Sequence, residues 1–175
     1  MHPINNNDMK VYHGSTSIVK VPSVGLGRNN LDFGKGFYVT ALKEQATSWA
    51  SRPLNADKEQ ILNTYEFNKE GIIEDGYRYK QFLGYDTEWL EFVIASRKGE
   101  PVWKGWDIIE GGIANDRVFN TIELYGLGLI TQEAALQRLI YEQPNNQICI
   151  LNQEVADKYL RFMESCIIPK KEEEP

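Results

Sequence analysis

The residues best suited to chemistry lie near the N-terminus, around one histidine. His13 ends a short predicted strand over residues 10–13 and precedes Gly14 and Ser15, whereas His2 lies in a polar leader. An imidazole can exchange a proton or a hydrogen bond near neutral pH. A glycine beside it lets a ligand come close to the backbone. A lone histidine is more often structural, so this motif by itself leaves both interpretations open.

A second group of residues surrounds Tyr38. A Gly-Lys-Gly turn ending at Gly36 runs directly into a strand predicted over residues 36–40. Trp49 follows eleven residues after Tyr38, on a helix predicted over Lys43–Arg52. Such aromatic side chains serve either as core mass or as flat platforms for a planar ligand.

The common catalytic and metal-binding signatures are absent from the sequence. It has no Gly-x-Gly-x-x-Gly, phosphate loop, Gly-x-Ser-x-Gly or His-Glu-x-x-His. Two cysteines and two histidines cannot form a typical structural zinc site, so we expect no metal. Cys149 and Cys166 lie in apolar contexts and are expected to be reduced thiols.

Composition narrows the class of protein. The net charge of −6 argues against a nonspecific duplex-binding protein, although nucleic acid could still be a transient substrate. No stretch approaches the roughly 20 apolar residues of a membrane span. The polar start Met1–Asp8 lacks the apolar core of a signal peptide, so we expect a cytoplasmic protein without membrane contact.

Strand and helix signals are mixed without a regular βαβ alternation. This pattern predicts an α+β fold, with a mostly antiparallel sheet and flanking helices. We predict a flexible segment over 1–9, a single domain over 10–168 and a charged tail over 169–175. The long segment 14–35 is predicted to be a functional or mobile loop. Further elements are predicted as strands over 61–67, 106–109 and 147–151, helices over 88–97 and 116–127, a helix capped by Thr131, and a helix-then-strand over 159–168.

Together the two motifs resemble a known superfamily. Tyr-His-Gly-Ser at 12–15, Phe-Gly-Lys-Gly-Phe-Tyr-Val-Thr at 33–40 and the aromatic Trp49 are similar to the ADP-ribosyltransferases. The resemblance is to the branch that includes the poly(ADP-ribose) polymerases, whose NAD site carries a His-Tyr-Glu triad. The pattern over roughly residues 10–163 also resembles small bacterial proteins of unknown function assigned to that superfamily. It implies the ADP-ribosyltransferase-like split sheet.

The resemblance assigns a role to each residue of the two motifs. NAD would be the substrate, and the backbone of Gly14 would hold its nicotinamide carboxamide. His13, assisted by Ser15, would hydrogen-bond the adenosine ribose. Tyr38 and Trp49 would sandwich the nicotinamide ring, with roughly 0.5–2 kcal/mol for each stacked contact.

Two positions depart from the family pattern. Gln147 stands where the triad has its glutamate. Its amide can still accept a ribose hydrogen bond, but it brings no negative charge to an oxocarbenium-like state. Polymer extension is therefore disfavoured. Ala46 stands where a serine often bonds the nicotinamide amide, a contact worth about 0.5–1.5 kcal/mol. Gly36 keeps the pattern and is predicted to let backbone approach the ligand.

Other charged residues are candidates to replace the missing carboxylate. Asn115, Asp116 and Arg117 follow a pair of glycines. They either cap and pair a helix or contact substrate or pyrophosphate at the mouth of the site. Glu91 is the alternative acid because aromatic and apolar residues surround it in sequence, although helix glutamates usually face solvent.

The predicted function is mono-ADP-ribosyl transfer from NAD to a macromolecular acceptor, protein or nucleic acid, with release of nicotinamide. Resemblance to small stand-alone members implies a toxin or defence role and a companion protein that neutralises it. Two alternatives stay open: a module that binds NAD or ADP-ribose without chemistry, and an NAD glycohydrolase that uses water as the acceptor. The sequence separates transferase from module only at Gln147.

Overall fold

A computed structural model describes residues 8–114, 116–140, 142 and 145–170 of the chain. The described part has an α+β architecture. Its strands are β1 Met9–Ser15, β2 Phe37–Val39, β3 Ile61–Phe67, β4 Tyr79–Gln81, β5 Ile108–Gly111, β6 Gln147–Ile150 and β7 Leu160–Ile167. Its helices are α1 Lys43–Ala50, α2 Lys69–Glu74, α3 Thr87–Arg97, α4 Asp116–Gly126, α5 Gln132–Leu139 and α6 Gln153–Tyr159.

The strands form two sheets. One has the order β1-β3-β7 and is antiparallel throughout. The other has the order β2-β6-β5-β4 and is antiparallel except where β4 pairs with β5. A single bridge between Tyr12 and Thr40 joins them, and beyond it β1 and β2 part. We call this opening, bounded by Gly14 on β1 and by β2, the β1–β2 split.

Apolar side chains fill two layers because successive residues of a strand point to opposite faces. Ile108 and Ile148 face the first layer, which packs both sheets together with α2 and α6. Their neighbours Ile109 and Cys149 face the second layer, which is closed by α3, α4 and α5. The sheet β2-β6-β5-β4, which we call the central sheet, is therefore covered on both faces. Its strand ends and edges remain to carry polar groups.

Most predicted elements are confirmed, with small shifts at their ends. The strand over 61–67 is correct, and Thr131 caps α5 by accepting a hydrogen bond from the Ala134 N–H. The helix near the C-terminus begins at Gln153, earlier than predicted, and gives way to β7 at Leu160. Helix α2 and strand β4 were not predicted from the sequence. Both are short, so their periodic signal is weak.

Candidate functional site

The backbone of Gly14 faces the β1–β2 split. The N–H and C=O of Tyr12 bond to Thr40 at 2.8 and 3.0 Å, so they point away from β3. The same groups of Gly14 point to that side too, because hydrogen-bonding direction alternates along an antiparallel strand. Beyond the bridge, no residue in the described part of the chain bonds to them. Gly14 thus presents one donor and one acceptor side by side.

His13 is fixed against the edge of β2. Its Nδ1–H donates to the carbonyl of Tyr38 at 2.7 Å, and its ring packs 4.4 Å from that of Phe37. Burial lowers the pKa of His13 below its ordinary value, although the bond to Tyr38 opposes the shift. The neutral imidazole then has a lone pair on Nε2. No described residue bonds to that nitrogen, so His13 can accept a hydrogen bond from a ligand hydroxyl.

The side chain of Tyr38 is anchored at its hydroxyl. The hydroxyl donates to the carbonyl of Gly34 at 2.7 Å and accepts the N–H of Phe33 at 3.1 Å. Burial raises the pKa of Tyr38 well above its ordinary value, and Cys149 and Asp32 add to the shift. The phenol therefore stays neutral. It braces the turn before β2.

Gln147 is the first residue of β6 and lies on the same face as Tyr38. Tyr38 pairs with Cys149 in the ladder, so Gln147 is its diagonal neighbour, roughly 7–8 Å away between Cα atoms. Only 5% of Gln147 is exposed, and its Nε2 donates to Asp32 at 2.9 Å and to the Gly112 carbonyl at 3.2 Å. Its Oε1 has no partner in the described residues, so this oxygen is the acceptor that Gln147 can offer.

Asp32 is the residue that the sequence did not identify as part of the site. It is 7% exposed and forms an ion pair with Arg97, whose NH2 lies 2.5 Å from Oδ1. Its Oδ2 accepts from Gln147 and, at 3.4 Å, from the N–H of Ala114. Position 32 precedes β2 and position 97 ends α3. In the sequence, Asp32 is visible as an acid directly before the Phe-Gly-Lys-Gly turn. This local pattern does not show which distant residues it contacts.

The Cα atoms of Gly14 and Gly36 lie close to other parts of the chain, so no ligand can lie against them. A Cβ on Gly14 would lie 1.7 Å from the Ala46 carbonyl oxygen of α1. A Cβ on Gly36 would lie 2.5 Å from the carbonyl oxygen of Ile150 on β6. The close approach predicted for Gly36 is thus an approach of β2 to β6. Gly14 keeps its backbone groups for the split because they lie in the plane of the sheet.

Trp49 and Ser15 lie beside the split without completing it. Trp49 is half-buried on α1, next to Ala50, whose backbone nitrogen lies against Gly14. No ring contact joins it to Tyr38 among the described residues, so the two aromatics are separate surfaces. The Ser15 hydroxyl accepts the N–H of Ser17 at 3.3 Å and turns the chain away from β1.

Of the candidates to replace the missing carboxylate, Glu91 is bonded to other helices and not to His13 or Tyr38. Glu91 is exposed on α3 and accepts hydrogen bonds from Tyr125 and Gln132. Its apolar sequence neighbours are buried because they lie on the opposite face of the helix. Asn115 and the side chain of Asp116 lie outside the described residues, and Arg117 is exposed on the first turn of α4.

A second buried acid, Glu110, lies on the other face of the central sheet. It accepts hydrogen bonds from Lys69, Tyr79 and Asn146 at 2.6, 2.5 and 2.8 Å. Burial alone would raise the pKa of Glu110, but these three donors outweigh it and lower the pKa. A cavity of about 210 Å³ lies beside it, lined also by Gly112. In the sequence, Glu110 could have been noticed as an acid next to the apolar strand residues Ile108 and Ile109.

Two further properties concern the described residues as a whole. They contain no group of three or more histidine, cysteine or acidic side chains that could hold a metal ion. They contain no helix long and apolar enough to cross a bilayer.

Comparison with known proteins identifies a family without assigning an activity. The family model described as "Protein of unknown function (DUF3990)" matches residues 9–162, nearly the whole described chain. The chain therefore belongs to this family. Neither a curated protein nor a solved structure matches it.

Proposed function

We propose that this DUF3990 family member is an NAD-dependent mono-ADP-ribosyltransferase and that the β1–β2 split is its NAD site. One observation carries the proposal. At this split the chain offers the N–H and C=O of Gly14, the Nε2 of His13 and the Oε1 of Gln147, none of which has a partner among the described residues. Unpaired polar groups that are rigidly held are what a polar ligand needs.

Each free group matches one part of NAD. The nicotinamide carboxamide has a carbonyl acceptor and an NH2 donor group, which suit the paired N–H and C=O of Gly14. His13 accepts a hydrogen bond from a hydroxyl of the adenosine ribose through Nε2. Gln147 accepts one from the 2′-hydroxyl of the nicotinamide ribose through Oε1. The faces of Tyr38 and Trp49 supply stacking surface for the cationic ring.

The pyrophosphate has a matching pair of charges. Arg28 follows Gly27, which lies against Gly36, and Arg52 follows α1. Burial and the nearby charge of Arg28 lower the pKa of Arg52. In the described residues neither arginine forms an ion pair, although the protein is acidic overall. A dianionic group would relieve the repulsion between these two side chains.

The proposed reaction breaks the bond between C1′ of the ribose and the nicotinamide nitrogen. The bonding electrons leave with nicotinamide, and C1′ becomes oxocarbenium-like. A nucleophile of the acceptor then bonds to C1′ and loses its proton to solvent. Gln147 brings no formal charge to this state, so its stabilisation is weaker than a carboxylate would give. This favours single transfers over chain extension.

A second candidate function is a module that binds NAD or ADP-ribose without turnover. Gln147 favours it, as does the fact that the nearby carboxylate of Asp32 is already neutralised by Arg97. The two functions share one site and differ only in whether the C1′–N bond breaks. They are therefore separated by product formation and not by binding.

The test follows nicotinamide release and transfer of label from adenine-labelled NAD into a cell lysate. His13→Ala loses its hydrogen bond to NAD, which by itself should slow release about two- to tenfold. Trp49→Ala should weaken NAD binding, and it spares the two core layers, to which Trp49 does not belong. Lys10→Ala, exposed on the same strand as His13, is the matched control and should behave as wild type.

Each outcome decides between the functions. Label transfer that depends on His13 supports the transferase. Nicotinamide release without transfer supports an NAD glycohydrolase. Saturable NAD binding with neither product supports the binding module. Absence of NAD binding in a folded protein overturns the site itself.

A further inference from the structure

Position 147, where the resemblance to the ADP-ribosyltransferases would place a glutamate, is surrounded in this chain by groups that accept hydrogen bonds. The Nε2 of Gln147 lies 2.9 Å from a carboxylate oxygen of Asp32 and 3.2 Å from the carbonyl oxygen of Gly112. Both are acceptors, so only the nitrogen end of the amide fits on that side. The oxygen end is thereby turned to the free side. The orientation of the amide is fixed by its neighbours.

The carboxylate of Asp32 is itself held by Arg97, on the oxygen that does not contact Gln147. Arg97 approaches Oδ1 with Nε at 2.7 Å and with NH2, and its guanidinium lies 4.6 Å from the ring centre of Phe119. The N–H of Ala114 reaches Oδ2 weakly at 3.4 Å. Asp32 and Gln147 are both under a tenth exposed, so this chain of contacts is largely shielded from water.

Building on the proposed function, we propose that Asp32 is a positioning residue. It holds the Gln147 amide with Oε1 toward the bound ribose, and residue 147 must stay an amide while residue 32 is an acid. The site thus has its carboxylate on Asp32, behind Gln147, whereas the ADP-ribosyltransferase pattern places a carboxylate at position 147 itself. The carboxylate acts on the ribose only through Gln147.

This arrangement makes a specific prediction about moving the carboxylate. Gln147→Glu sets two carboxylates about 3 Å apart in a buried place, which is unfavourable unless one of them takes a proton. In Asp32→Asn the amide oxygen has to face the donors of Arg97, so the amide nitrogen faces Gln147, which then flips and turns its own nitrogen to the ribose. The double variant Asp32→Asn/Gln147→Glu restores a donor–acceptor pair between residues 32 and 147 and puts a carboxylate on β6, although the hydrogen bond to the Gly112 carbonyl stays lost.

The experiment is a double-variant cycle read out in two independent ways. The first readout is the midpoint of thermal unfolding, which needs no activity. The second is kcat and KM for nicotinamide release. Gln147→Glu should lower the midpoint by roughly 5 °C or more. Asp32→Asn should lower kcat about tenfold or more while KM changes less, since the flipped amide loses its transition-state contact. Gln137→Glu adds a charge on the exposed face of α5 and should change neither readout.

The double variant gives the deciding result. It should unfold at a higher temperature than Gln147→Glu and release nicotinamide faster than either single variant. A double variant no better than the worse single one overturns the pairing, as does a Gln147→Glu protein as stable as wild type. If wild type releases no nicotinamide, the proposed transferase fails while the unfolding cycle still decides whether the two residues form this pair.

Discussion

Substituting Gly14 by alanine tests how β1 meets helix α1. A Cβ at this position would lie 1.7 Å from the Ala46 carbonyl oxygen and 2.8 Å from the Ala50 backbone nitrogen. An ordinary contact begins at 3.4 Å, so about half of the required separation is missing. The obstructing atoms are backbone and cannot rotate away. Helix α1 must shift as a unit or β1 must bend.

The expected cost lies at the upper end of the range for overpacked cores, about 3 kcal/mol. For a chain of this size that corresponds to a fall of about 6–12 °C in the midpoint of thermal unfolding. Scanning calorimetry of Gly14→Ala would measure it. Gly84→Ala is the matched control, because a Cβ there meets nothing within 4 Å and its φ is not positive. If both variants unfold within about 1 °C of wild type, α1 does not pack on Gly14 as described.

Three further predictions test single groups. Because burial lowers the pKa of His13 below 6.5, the unfolded chain takes up that proton first, so stability should fall as pH drops below about 6.5. His13→Gln should lack this part of the pH profile of the unfolding midpoint, and identical profiles would contradict the assignment. A thiol reagent should modify the exposed Cys166 quickly. It should modify Cys149 only on unfolding, because burial shields this thiol and raises its pKa. Rapid modification of both cysteines in the folded protein would refute this prediction. Arg97→Ala leaves the Asp32 carboxylate with only neutral hydrogen-bond partners and should cost about 3 kcal/mol by urea unfolding. A loss under about 1 kcal/mol would argue against the buried pair.

The fold could be predicted from the sequence where periodicity was long enough to read. Strand β3 alternates over Ile61–Phe67 and was predicted at its observed ends. Helix α3 carries about three turns of apolar spacing and a capping aspartate, Asp86, at its start. Helix α2 has only six residues and includes Gly71, so local signals favour neither helix nor strand.

The site could be predicted only in part, because long-range pairing is invisible in one sequence. His13 and Gly14 were identified from their motif, and the structure places them at the β1–β2 split beside Tyr38. The contact between Asp32 and Gln147 joins residues 115 positions apart, and no local pattern predicts it. Glu91 was considered as a catalytic acid because apolar residues surround it in sequence, but helix geometry leaves Glu91 exposed, as helix glutamates usually are.

Binding of NAD at the β1–β2 split, as proposed, is tested most directly by a titration followed by ¹H–¹⁵N NMR. Saturable shifts are expected for the backbone amides of Gly14 and Tyr38, for the imidazole nitrogens of His13 and for the side-chain amide of Gln147. The Nδ1–H of His13 should stay bonded to Tyr38 while Nε2 responds. Shifts confined to another surface, such as the cavity beside Glu110, or no shifts in a folded protein, would contradict NAD binding at the split.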